Sequence, residues 1–324
     1  MAKTTKIKTQ IAARKSSKTA FTPQKKMHLK TVLKTGDIKN IAIVYRPDSV
    51  TASKIASELS GWLIKRGLAV FSHPSQKILG GGRITVKKIK GPQIQKINLV
   101  VALGGDGTYL QAVHMLGDHR APILGVNLGS LGFLTEIRKE DLYSAITMTL
   151  EGRMEMRPRT MLDVKVQRNG KVIHRNRALN DVVLERGPFS QLITIAIYSE
   201  NHMVGEVKAD GLVIATPTGS TAYNLAAGGP ILHPEVNSLV VTPICPHSLT
   251  HRPIIFPDRQ TLTFRLLNKK QRAHLHVDGQ NGGELRAGDE IIVSRSEYYH
   301  YMLRSPNHNY FDLLRNKLKF GERS

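Results

Sequence analysis

The chain has 324 residues, 40% of them apolar, enough for one large buried core or two smaller ones. The single cysteine, Cys245, excludes an internal disulfide and suits a reducing cytoplasm, while apolar runs such as Ile97 to Leu103 fall far short of the roughly 18–20 residues of a membrane-spanning helix. A formal net charge of +22 calls for partners that carry phosphate: nucleotides, polyphosphate or nucleic acid.

Residues 1–40 hold eleven Lys or Arg against Asp37 alone, and the N-terminus lacks the apolar core of a secretory signal. Residues 1–38 are therefore expected to be a basic, solvated and disordered arm. Phe21 is the only aromatic residue among those charges, which does not favour nucleic-acid binding. Ile41 to Tyr45 has the length of a buried strand. Thr51 to Arg66 follows with Ile55, Leu59, Trp62 and Leu63 at helical spacing, and Gly67 ends it. Leu68 to Phe71 is the next strand, and the Gly- and Lys-rich residues 75–96 read as a variable loop. Ile97 to Leu103 is a second buried strand, followed by a helix from Thr108 to Leu116 and a strand from Pro122 to Val126. This alternation predicts a Rossmann-like parallel α/β domain over 39–138.

A helix over Glu140 to Leu150 closes this half at Gly152. Beyond it the hydrophobic period changes to two. Leu162, Val164 and Val166 alternate with Asp163, Lys165 and Gln167, and Asn169-Gly170 marks a tight hairpin. Alternating runs at 191–198, 212–215, 262–266, 273–277 and 290–294 predict a β-rich domain over 139–295.

Two segments carry chemistry. Gly104-Gly105-Asp106-Gly107-Thr108 lies where a buried strand passes into a helix, the place where parallel sheets bind ligands. Its glycines let a phosphate chain approach the backbone N–H groups, so Gly104, Gly105, Gly107 and Thr108 form a candidate phosphate-donor loop. Asp106, expected to be an exposed carboxylate, suits binding a metal or taking a proton from an attacking hydroxyl. Neither the P-loop nor the GxGxxG pattern is present, and a glycine turn with a capping Asp is the lesser alternative for the pentapeptide. The second segment, Asp210 to Asn224, runs from a strand into a hydroxyl-rich turn, Thr216-Pro217-Thr218-Gly219-Ser220-Thr221-Ala222-Tyr223. Thr218, Ser220 and Thr221 can donate to a ligand and Tyr223 can face a nucleobase, although a capped Thr/Ser loop is the plainer alternative.

Together with Asn180-Asp181, Gly125 to Leu134 and the Gly228-Gly229-Pro230 run, these motifs resemble the NAD kinase family, in order, from about residue 40 to the last helix. The resemblance implies transfer of the terminal phosphoryl group of ATP, or of inorganic polyphosphate, to the 2′-hydroxyl of the adenosine ribose of NAD, yielding NADP. It implies an N-terminal α/β domain, a C-terminal β-rich domain, and a segment, 296–324, returning to the first. It further implies a divalent cation, Mg2+, on the donor phosphates, no tightly bound organic cofactor, and a homo-oligomer (dimer or tetramer) with sites near subunit contacts. Asp106 becomes the proton acceptor, with Gly107 beside it. Asn180 and Asp181 would hold NAD, Asp210 its ribose, and Thr221, Ala222, Tyr223, Asn224, Leu225 and Ala226 the adenosine portion; Gln280 is a further contact.

Two positions depart from the family pattern. Asp181 stands where Glu is common, one methylene shorter with the same charge. Lys208 stands where Arg accompanies preference for NAD over NADH; it keeps the charge without the planar fork, and preference for NAD is expected. His274, His276 and Asp278 have a ligand-like spacing on one strand face, but further zinc ligands are not evident and no metal is assigned to protein side chains. The GGDG turn also occurs in lipid and sugar kinases, against which the TPTGSTAY run and the Asn180-Asp181 pair count. A non-catalytic nucleotide- or nucleic-acid-binding protein using the basic arm is the rival from another class.

Overall fold

The computed structural model describes residues 31–319 except 33–35, 37, 81–83, 188–190, 269–270 and 308. Most of the expected arm lies outside the described residues. Of its last part, Thr31–Val32 pairs with Glu155 and Met156, and Ile38 is buried against the first core.

The N-terminal half builds a parallel sheet from β1 (Asn40–Tyr45), β2 (Ala69–Ser72), β3 (Leu99–Leu103) and β4 (Ile123–Asn127), with β1 paired to both β2 and β3, and β3 to β4. Helix α1 (Val50–Ile64), N-capped by Ser49, joins β1 to β2; helix α2 (Asp106–Leu116) joins β3 to β4. Their apolar stripes cover opposite faces. Ile41, Ile43, Leu99 and Val101 pack with Ile55, Leu59 and Leu63 of α1, while Ala42, Val44, Val100 and Ala102 pack with Tyr109, Ala112 and Val113 of α2. Burial on both faces is why these strands read as unbroken apolar runs. Part of the expected loop over 75–96 is ordered: Leu79–Gly80 pairs with Ile84–Thr85, and Lys87–Lys88 extends the sheet beside β2. Two-residue pieces carry no periodicity, so the sequence could not announce them. Helix α3 (Leu142–Leu150) follows a 3-10 turn over Lys139–Asp141.

The C-terminal half is antiparallel. Strand β5 (Glu155–Arg168) turns at Asn169-Gly170, both at positive φ, into β6 (Lys171–Ala178). There follow β7 (Asp181–Arg186), β8 (Ile193–Ser199), β9 (His202–Ala209), β10 (Gly211–Ala215), the short helix α4 (Tyr223–Ala226) and β11 (Ser238–Ile244). The chain closes with β12 (Ile254–Pro257), β13 (Leu262–Leu266), β14 (Arg272–Val277), β15 (Gln280–Arg286), β16 (Asp289–Arg304) and helix α5 (Tyr310–Leu318). One sheet runs β12-β11-β10-β7-β14-β15; β9-β8-β13-β16 continues into β4-β3-β1-β2. Leu162, Val164 and Val166 meet Leu184, Leu212, Ile214 and Leu275 between the sheets. The run 212–215, expected to alternate, is buried throughout, because Val183, Val213, Val240 and Leu232 form a second cluster on the outer face.

Strand β16 stitches the halves together. It pairs along β5 from Arg168 to Glu155, and its last turnward residues reach the parallel sheet, Met302 opposite Ile123. Among the described residues no helix is long and apolar enough to cross a membrane.

Candidate functional site

The connections at the carboxyl end of the parallel sheet set the site. Gly104 leaves β3 where a Cβ would lie 2.3 Å from Thr108 Oγ1, so only glycine lets the turn close onto the first turn of α2. Asp106 opens α2 half-buried rather than exposed as the sequence suggested. Its Oδ2 accepts the Phe133 N–H at 2.9 Å. Its Oδ1 accepts the N–H groups of Leu134 and Thr135 at 2.9 and 3.1 Å and the Thr135 hydroxyl at 3.1 Å. Gly132 makes this possible, since a Cβ there would stand 2.1 Å from Asp106 Oδ1. The Leu131-Gly132-Phe133-Leu134-Thr135 loop is thus wrapped around the carboxylate. Beside it Asn127 takes the Gly129 N–H at 2.6 Å and donates to Thr135 Oγ1 at 3.1 Å.

The loop is anchored from behind. Arg304, near the end of β16, donates to Glu136 at 2.8 Å in a buried ion pair, and Tyr109 and His300 share a 2.6 Å hydrogen bond. Burial, with the nearby Arg159 charge, depresses His300 to about 3, and burial with Arg304 lowers Arg159 to about 10. Helix α5 bridges the same loops: Lys317 Nζ reaches Leu131 O, while Tyr310 stacks edge-on against His233.

Asn180-Asp181 is presented by a clamp the sequence did not reveal. Asp278, at φ +48 in the turn between β14 and β15, accepts three backbone N–H groups: Leu179 at 2.8 Å, Asn180 at 2.7 Å and Asp181 at 3.1 Å. It does not share a strand face with His274 and His276, because β14 ends at Val277; His276 Nε2 instead pairs with Glu185 at 3.0 Å. The Thr216–Gly219 segment lies directly on the pair. Thr216 N donates to Asn180 O at 2.9 Å, and a Cβ on Gly219 would stand 2.1 Å from that oxygen.

A cavity of about 430 Å3 opens here, walled by Leu110, Asn180, Asp181, Ala222, Tyr223 and Gly279. Asn180 Oδ1 is buried without a hydrogen-bond partner among the described residues. Asp181 accepts the Tyr223 N–H, and burial together with the Asp278 charge pushes it up to about 7. Leu110 stands one helical turn after Asp106, and i, i+4 positions share a face with Cβ atoms about 5–6 Å apart. One further turn on, His114 Nε2 lies 3.3 Å from Asp278 Oδ2, close but not aligned as a hydrogen bond. One face of α2 therefore carries the carboxylate, the cavity wall and a contact to the clamp.

The structure places the other predicted contact residues as follows. Asn224, predicted to touch adenosine, is fully buried: its amide donates to Ser220 O and Pro230 O, and its oxygen accepts from Thr242. Ser220, expected to donate to a ligand, donates instead to Pro217 O. These side chains hold the loop together through internal hydrogen bonds. Thr221, Leu225 and Ala226 stay at or near the surface, with the Thr221 hydroxyl on Thr218 O. Asp210 is paired with Arg186 at the far end of the β7–β10 pair, where Asp181 opposes Ala215 and Glu185 opposes Gly211. About five residues of strand, roughly 17 Å, separate it from Asp181. Lys208 is exposed on β9, and exposed Gln280 opens β15 just after the clamp turn. The sequence did not single out Leu110 or Glu185, and it offered Asp278 and the Gly125 to Leu134 segment without showing that the one holds residues 179–181 and the other wraps Asp106. The VDGQ and LGFLT segments carried the signal, but nothing local shows which way their polar groups turn.

Two family models match the chain, the ATP-NAD kinase N-terminal domain over residues 41–154 and the ATP-NAD kinase C-terminal domain over 179–305. The chain belongs to the NAD kinase family. It is 52% identical over 299 residues to the NAD kinase of Bdellovibrio bacteriovorus, covering 92% of this chain and 98% of that one. It is 42% identical over 286 residues to the NAD kinase of Geotalea daltonii, covering 88% and 100%. Among solved structures, the yeast NADH kinase complexed with NADH superposes with a TM-score of 0.80 at 27% identity, over 89% of each chain. An NAD kinase from Archaeoglobus fulgidus in complex with ATP has a TM-score of 0.67 at 21% identity, over 86% and 99%, and shares the fold. The NAD kinase fold is thus an N-terminal parallel α/β half and a C-terminal β-rich half, and the enzyme is a phosphotransferase.

Proposed function

We propose that this NAD kinase seats the adenosine half of NAD in the cavity between α2 and the Asn180-Asp181 loop, and that Asp106 takes the proton from the ribose 2′-hydroxyl as it attacks the terminal phosphorus of the donor. The observation that carries this reading is the buried Asn180 Oδ1, without a hydrogen-bond partner among the described residues, in a cavity also lined by Leu110, one helical turn from Asp106. Asp106 Oδ1 accepts three hydrogen bonds and Oδ2 only one, so Oδ2 keeps lone-pair capacity for a substrate proton. Tyr223, 41% exposed, offers a flat face to the adenine, and Asn180 and Asp181 supply polar contacts.

The donor phosphates lie along Gly104, Gly105, Gly107 and Thr108, where positioning and charge neutralisation are the main requirements of phosphoryl transfer. Beside Gly105 and Gly107 an added Cβ would meet nothing within 4 Å, leaving room for such a chain. A divalent cation, Mg2+, arrives with the donor and is held chiefly by phosphate oxygens, as is usual for this ion. Asp210, about five strand residues from Asp181, stands too far from it to grip the same ribose, and Lys208 lies two residues before Asp210. In this reading they meet the other end of NAD, or a site completed by a second subunit of a homo-oligomer working in the cytoplasm.

The test is the purified chain with ATP, Mg2+ and NAD, alongside Asp106→Asn. Turnover falls about a thousandfold, while calorimetric NAD affinity changes only a few-fold. Near-normal turnover with intact NAD binding overturns the assignment of the base.

A further inference from the structure

The parallel sheet has a topological switch point that the known motifs use on one side only. The chain passes from β1 through α1 to β2 at one edge of β1, then returns at its other edge as β3 before α2 leads to β4. Connections that diverge in this way open a crevice beyond the carboxyl ends of the two central strands, the usual ligand site of such sheets. Beyond β3 that crevice is lined by the Gly104–Thr108 turn. Beyond β1 it is lined by Arg46.

Arg46 is held close to the turn by its backbone. Its N–H donates to Leu103 O at 3.0 Å, and its Cβ lies 3.3 Å from where a Cβ on Gly104 would sit. The side chain is exposed, and among the described residues its guanidinium makes no ion pair or hydrogen bond. The glycine turn itself supplies N–H dipoles and a carboxylate but no cation.

We propose that Arg46 is a binding residue for the phosphate chain of the donor, gripping it from the β1 side of the crevice. The chemistry recognised is a linear polyphosphate, whether of a nucleoside triphosphate or of inorganic polyphosphate. A guanidinium is always charged and offers a planar fork of donors that matches two phosphate oxygens at once. This inference rests on the reading that the donor lies along the Gly104–Thr108 turn.

The experiment measures steady-state kinetics of Arg46→Ala and Arg46→Lys, varying ATP at saturating NAD and the reverse, and repeats the donor titration with inorganic polyphosphate if the wild type accepts it. Arg46→Ala raises the KM for ATP by about ten- to hundredfold, the worth of one charge-assisted contact or two. The KM for NAD stays within about twofold and the melting temperature is unchanged, since the side chain has no partner to lose. Arg46→Lys recovers part of the loss. An unchanged KM for ATP, an equal rise for NAD, or a rise for ATP without one for polyphosphate overturns the proposal. Gly105→Val, whose side chain enters open space at an ordinary φ of −96°, separates the two failures. If it leaves the KM for ATP unchanged, the donor does not lie at the turn; if it raises that KM while Arg46→Ala does not, only the assignment of Arg46 falls.

Discussion

Substitution of Gly132 by alanine tests whether the seat of Asp106 matters to the chemistry without changing any group that meets a substrate. The new methyl would stand 2.1 Å from Asp106 Oδ1, 2.4 Å from Thr135 Oγ1 and 2.9 Å from Asp106 Cγ. Restoring ordinary contact distances requires the carboxylate, or the loop around it, to retreat by roughly 1 Å. Oδ1 holds three hydrogen bonds at 2.9–3.1 Å, so that retreat weakens one or two of them. At about 1.5–3 kcal/mol for a bond to a charged group, the expected loss of stability is about 2–4 kcal/mol. A displacement of that size at a reacting group costs about a hundredfold in turnover. Gly129→Ala is the control: in the same loop, its methyl would meet only Asn127 Oδ1 at 4.0 Å, and both turnover and melting temperature should match the wild type. The assay is NADP formation at saturating substrates, with melting followed by circular dichroism. Turnover of Gly132→Ala within threefold of wild type, at an unchanged melting temperature, would refute the account of how Asp106 is held.

Two further expectations concern pH. Asp181 is raised to about 7 from the ordinary 3.8 by burial and by Asp278, so the folded state holds its proton more tightly than the unfolded chain. That stability is complete below pH 3.8 and is lost as pH rises through 7; at about 1.36 kcal/mol per unit the loss reaches at most roughly 4 kcal/mol. Asp181→Asn should therefore melt higher than wild type at pH 8 and equally at pH 4, while its KM for NAD rises; equal shifts at both pH values would contradict the buried-carboxyl account. His300 behaves oppositely: its pKa of about 3 in the fold means that stability present above pH 6.5 drains away as pH falls towards 3. His300→Gln should flatten the fall in urea-unfolding stability between pH 7 and 4, and an unaltered slope would show that His300 does not carry it.

Much of the fold was legible in order along the chain. The runs Ile41 to Tyr45 and Leu99 to Leu103 announce strands covered on both faces, and the alternation of Leu162, Val164 and Val166 announces one covered on a single face, because burial imprints its period on the residues themselves. The Asn169-Gly170 turn was readable for the same local reason, as both residues tolerate the positive φ they adopt. The site was legible as motifs but not as contacts. Nothing in the Gly104–Thr108 turn says that its carboxylate faces the N–H groups of residues 133–135, or that Asn224 spends its amide on Ser220 and Pro230.

Those facts belong to pairs of residues far apart in the chain. Asp278 lies 97 to 99 positions from the three N–H groups it holds, and Arg304 lies 168 positions from Glu136. The sequence by itself determined the family and the types and order of those elements with a clear hydrophobic period, since each depends on local pattern or on motifs read in line. Only the tertiary structure decided which polar groups are consumed in holding loops and which, like Asn180 Oδ1, are left without a partner among the described residues. A hydrogen-bonding group carries the same letter in either state, and the partner that settles it arrives only when distant strands pair.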